Sequence, residues 1–152
     1  MPLRIFRRLS SGEEGFTLIE LLVVIIIIGI LAAIAIPSFL AQQSKATDAA
    51  AKELAHAAEI AALTYGLDNN GYASLTPAAL KTVEATIQLD PAGNNAYISS
   101  TSGVPLATAS TFEVTATSSN GDTFSITHGN GSSLTRTCTG SGAGSGCVNG
   151  TW

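Results

Sequence analysis

Charge is scarce in this sequence. Only 12% of its 152 residues are Asp, Glu, Lys or Arg, about half the share of an average soluble protein. Basic residues are the rarer sign, 7 against 11 acids, giving a formal net charge of −4. So few cations rule out a basic DNA-binding domain held by phosphate contacts. Two cysteines rule out a cysteine-rich scaffold and cannot make a four-ligand zinc site, and only two histidines, His56 and His128, exist to help them. What is present is unevenly spread. The apolar share is an ordinary 45%, yet mean hydropathy is high at +0.33. No polar or charged side chain occurs from Leu21 to Ile36, which points to a membrane-related amino-terminal segment.

Four stretches follow one another. Residues 1–15 (MPLRIFRRLSSGEEG) carry Arg4, Arg7 and Arg8, then Glu13 and Glu14. Residues 16–37 are a long apolar run with one charge, Glu20, and a terminal Pro37. As a helix this run rises about 32 Å, close to the ~30 Å hydrocarbon core of a bilayer. Residues 38–66 are alanine-rich with scattered polar residues and no glycine or proline before Gly66. They predict an amphipathic continuation of the same helix, about fifty residues in all, with Gly66 as its stop. Residues 67–152 change texture. Thr76-Pro77-Ala78-Ala79-Leu80 reads as an N-cap, a proline at the first helical position and a short helix. Runs of β character cover 96–100, 111–117, 123–128 and 133–138. Phe112, Val114 and Ala116 alternate with Glu113 and Thr115, as Phe124 and Ile126 do with Ser125 and Thr127, the period of half-buried antiparallel strands. Asn120-Gly121 is a tight-hairpin signal, and Asn130-Gly131 offers a second.

The amino-terminal segment admits three readings. A secretory signal peptide would have this basic start, an apolar run and a small-residue cleavage site at Ala33-Ile34-Ala35, releasing a secreted binding domain or enzyme after Ala35. An uncleaved signal anchor would keep the arginines in the cytoplasm. Neither explains Glu20, because a carboxylate in hydrocarbon costs at least ~2.5–3.5 kcal/mol and is functional by default.

The third reading offsets that cost. Gly15-Phe16-Thr17-Leu18-Ile19-Glu20, followed by the apolar run and Pro37, resembles the type IV pilin and pseudopilin family, with a class III prepilin leader at residues 1–15. The resemblance implies that a membrane prepilin peptidase cuts between Gly15 and Phe16 and methylates the new α-amino group of Phe16. It assigns assembly and register to Glu20 and Thr17, with the Glu20 carboxylate against the amino terminus of a neighbouring subunit. Glu20 lies four residues from Phe16, one turn along the same helix face. Similar pilins lose helicity in the filament around the positions of Gly29 and Pro37, which makes these two the candidates for local melting.

Cys138 and Cys147 enclose eight residues, TGSGAGSG. The resemblance implies a disulfide closing a C-terminal surface loop, and an extracytoplasmic compartment favours one. Closing so small a loop contributes roughly 2.5–3 kcal/mol in the chain-entropy model. Calcium, which some major pseudopilins hold in a C-terminal loop, is poorly supplied here, because Asp122 is the one carboxylate side chain after Glu113. His56 and His128 read as separate surface residues rather than bases or ligands. Tyr72 and Trp152 read equally as anchors of the sheet or as exposed tips. Asn130-Gly131-Ser132 and Asn149-Gly150-Thr151 match glycosylation sequons, a pattern common by chance. No hydrolase, zinc-protease, phosphate-loop or EF-hand motif is present, so the chain reads as no enzyme, with no catalytic residue, metal or cofactor.

The expected fold is α+β: a long amino-terminal helix packed on a small antiparallel sheet of three to four strands. The expected function is structural. The chain is the polymerising subunit, the major pilin, of a type IV pilus, held in the cytoplasmic membrane with its head outside before assembly and in an extracellular filament afterwards. The resemblance names as partners the chain itself, the prepilin peptidase, and an assembly platform protein with its ATPase, in the service of adhesion, twitching motility or DNA uptake. A major pseudopilin of a type II secretion system is the alternative with the same leader and helix.

Overall fold

The computed structural model describes residues 15–140 and 144–152. The leader features at Arg4, Arg7, Arg8, Glu13 and Glu14 lie outside the described residues. The chain divides into two compact units, Met1–Pro37 and Ser38–Trp152.

In the first unit, residues 15–17 lead into helix α1, which runs as one element over Leu18–Asn69. An 18-residue window of α1 reaches a mean hydropathy of 3.2 with none of it buried inside the protein. The exposed side chains include Ile25, Ile28, Leu31 and Ile34. No water-soluble helix keeps such a surface bare, since covering each Leu or Ile is worth about 1.5–3 kcal/mol.

In the second unit the same helix turns small. Ala51, Ala55, Ala58 and Ala62 are fully buried; their spacing of four, three and four residues makes a single stripe. The large core side chains come from the other elements: Leu80 of α2 (Pro77–Val83), Ile87, and the inward side chains of five strands. Those strands are β1 (Ala96–Ile98), β2 (Leu106–Ala107), β3 (Phe112–Ser118), β4 (Thr123–His128) and β5 (Leu134–Thr139). All pairings are antiparallel in the order β1-β3-β4-β5, and β2 extends the β1 edge by pairing with the start of β3. Along β3 burial alternates strictly, with Phe112, Val114 and Ala116 inward. The α2 cap forms as its sequence dictates: Thr76 Oγ1 accepts from the Ala79 amide at 3.1 Å, with Pro77 opening the helix.

Three sequence expectations need adjustment. The sheet has five strands rather than three to four, because β2 is only two residues long and too short to show alternation. Helix α1 passes Gly66 and ends at Asn69; the chain turns at Asn70 and Gly71, both with positive φ, and the Gly71 amide donates to the Gly66 carbonyl at 3.0 Å. Gly66 serves packing instead, since a Cβ there would fall into the Tyr72 ring. Asn120-Gly121 lies at the β3–β4 turn, but in a four-residue connection, and Asn130-Gly131 forms a 3-10 turn before β5.

Candidate assembly site

The amino end of α1 is built by a reciprocal cap. Thr17 is the N-cap and Glu20 the third helical residue, the T-x-x-E arrangement that satisfies two otherwise orphaned amides. Glu20 Oε2 accepts from the Thr17 amide and from Thr17 Oγ1, each at 2.9 Å, and Thr17 Oγ1 accepts from the Glu20 amide at 3.2 Å. The carboxylate also sits at the positive end of the helix dipole. In this uncleaved chain the Phe16 nitrogen is a peptide amide, and Phe16 itself is 83% exposed. The structure therefore gives Glu20 a local partner in Thr17. Spacing alone paired Glu20 with an amine and listed Thr17 beside it; the T-x-x-E pattern was the available signal for the cap.

Gly29 and Pro37 both lie within the continuous helix α1. A Cβ at Gly29 would meet nothing within 4 Å, so no close packing inside the chain requires glycine there. Pro37 has no amide to donate, which leaves the Ala33 carbonyl without its helical bond.

In the second unit, Cys138 and Cys147 are bonded, with an S–S distance of 2.03 Å and Cα atoms 5.6 Å apart. The disulfide loop is tied to α1 through a residue that sequence reasoning passed over. Asp48 is 1% exposed; its Oδ2 accepts from the Gly146 amide at 2.6 Å and its Oδ1 from Asn120 Nδ2 at 3.0 Å. One turn on, Lys52 Nζ donates to the Gly146 carbonyl at 2.8 Å. Ser145 Oγ donates to Asp122 Oδ2 at 2.6 Å. Helix, hairpin turn and disulfide loop thus meet on two carboxylates.

The two histidines also come together. Glu59, buried on α1, has His56 Nδ1 at 2.9 Å from Oε2 and His128 Nε2 at 3.5 Å from Oε1. Both Tyr72 and Trp152 anchor the core. Tyr72 packs on Phe112 with ring centroids 4.6 Å apart, and Trp152 stands edge-on to Phe124 at 5.8 Å while its Nε1 donates to the Thr137 carbonyl at 3.0 Å. Among the described residues no group of three or more His, Cys, Asp or Glu is arranged to hold a metal ion. No buried side-chain nitrogen or oxygen there lacks a partner.

The family model for a prokaryotic N-terminal methylation motif matches residues 10–36. The chain is 40% identical over 92 residues to the type IV wide pilus major component PilA4 of Thermus thermophilus, covering 57% of this chain and 70% of that protein. It is 37% identical over 78 residues to the type II secretion system core protein G of Escherichia coli, covering about half of each. Over 45 residues it is 53% identical to the type IV major pilin PilA of Myxococcus xanthus, 20% of that protein's length. No solved structure matches. Cap, bare apolar half-helix and alanine-faced half-helix under a disulfide-closed sheet fit these relatives, and the chain belongs to the type IV pilin family.

Proposed function

We propose that this chain is the major subunit of a type IV pilus. The observation that carries the reading is the apolar half of α1: a span of bilayer length, wholly uncovered within the chain, with its single carboxylate in the first turn after Gly15-Phe16. Such a surface needs one environment before assembly and another after it, first lipid and then the same helices of other copies. Prepilin peptidase cuts after Gly15 and methylates Phe16. Cleavage removes Arg4, Arg7 and Arg8 with Glu13 and Glu14, shifting the side-chain charge from −4 to −5, and it exposes an ammonium at Phe16. Glu20 then exchanges its Thr17 cap for the ammonium of a neighbouring copy. An ion pair buried in this way costs more to break than it gains in net stability, so it sets register. Melting between Gly29 and Pro37 lets the packed helices adjust. The assembly platform and its ATPase draw the chain from the cytoplasmic membrane, with the head outside, into an extracellular filament that serves adhesion, motility or DNA uptake.

The test is Glu20→Ala in cells. The variant is expected to be processed and membrane-inserted normally while filament yield falls at least tenfold, since one partner of a buried pair is lost; a normal pilus yield contradicts the role of Glu20. The pseudopilin reading draws support from the likeness to the secretion core protein. Long surface filaments made of this chain favour the pilin, whereas a secretion defect without visible pili favours the pseudopilin.

A further inference from the structure

The face of the sheet turned away from α1 carries an ordered array of hydroxyls. Strand register aligns Thr115, Ser125 and Thr137 in one row across β3, β4 and β5, and Thr117, Thr123 and Thr139 in the next. A third row holds Glu113, Thr127 and Thr135. Three strands in unbroken register therefore present eight hydroxyls and one carboxylate, spaced about 4.8 Å across the strands and about 6.8 Å along them. Hydroxyl orientations are already set: Thr115 Oγ1 and Ser125 Oγ are 2.7 Å apart, and the hydroxyls of Thr123 and Thr139 are bonded to each other. The β5 members are exposed and the β3 members half-buried. At one margin Tyr97 of β1 pairs with Thr117, which brings an aromatic ring to the same face; at the other, Leu106 pairs with Glu113.

β-branched residues suit any exposed strand, but propensity alone does not exclude charge from a face this regular. The absence of cations removes phosphate-bearing ligands. A single aliphatic side chain at one corner, Leu106, gives a protein partner no central anchor. Hydroxyls both donate and accept, so the face complements a neutral ligand whose own groups are hydroxyls in a flat, repeating pattern. We propose that this face binds an uncharged, extended β-1,4-linked polysaccharide, its hydroxyls meeting the threonine rows and a sugar ring lying on Tyr97. In a polymer of this chain the face would recur along the filament and add avidity, but one copy carries the whole array.

The test uses the full-length, unassembled chain in detergent, cosedimented with microcrystalline cellulose, so its result is independent of whether filaments form. Wild-type protein is expected to sediment with cellulose equally in low and high salt. The double variant Thr135→Val, Thr137→Val keeps the β-branched shape and is expected to lose binding about tenfold, the equivalent of roughly two weak hydrogen bonds. Tyr97→Leu, on a different strand, is expected to weaken binding separately, with far-UV circular dichroism unchanged in both. Failure of the wild-type chain to sediment overturns the proposal, as does equal binding by both variants. Binding abolished by high salt overturns it too, as does shaping of ice crystals without sedimentation, which would assign the array to ordered water.

Discussion

Asp48 stands on an alanine-rich helix as one polar residue among several, yet it is buried and holds two other segments. Its partners Asn120 and Gly146 lie 72 and 98 residues away in sequence, so no local pattern could disclose it. Glu59 is similar: its second histidine comes from the end of β4, and only the packed sheet brings it near. The Gly15-Phe16-Glu20 spacing was legible because it is local, a helix start followed by an apolar run. Asp48→Ala leaves the Asn120 amide and the Gly146 N–H without their acceptor. It should lower unfolding stability by about 2–4 kcal/mol, measured by denaturant titration of the head, and loosen the loop that Cys147 closes. An unchanged midpoint would mean that water replaces the carboxylate at no cost.

At the scale of elements, α1 is one helix with two surfaces. From Leu18 to Leu40 it exposes large aliphatic side chains, and from Thr47 to Ala62 it buries small ones. The change was readable as a shift from isoleucine to alanine. What alanine accomplishes was not, because its meaning depends on Phe112, Val114, Phe124 and Ile126 filling the space opposite. Ala58→Leu inserts three carbons into that closed seam and should cost about 1–3 kcal/mol by overpacking, read as a lowered Tm of the head with intact membrane insertion. The short strand β2 and the extension of α1 past Gly66 escaped sequence reasoning for related reasons. β2 exists because β3 offers it an edge, and Gly66 is spared a side chain because Tyr72 needs the room.

Across the whole molecule, stability and assembly rest on different parts of the chain. The head keeps itself together with a core drawn from α1, α2 and all but the shortest strand, and with the Cys138–Cys147 bridge. Reducing that bridge should remove roughly 2.5–3 kcal/mol in the chain-entropy model. The expected result is a lower unfolding midpoint for the head in reductant, and no shift in reductant for a Cys138→Ser, Cys147→Ser variant, which starts from the lower value. The apolar half-helix contributes nothing to that core. Its low charge and high hydropathy, the features most visible in the composition, belong to a surface meant for lipid and then for other copies. Processing at Gly15 is what converts one use into the other, and it is measured most directly by intact and amino-terminal peptide mass spectrometry of the mature chain from cells. A chain beginning at Phe16 with one added methyl group on its amine is the predicted result; a chain beginning at Ile36, or one retaining residues 1–15, would contradict it.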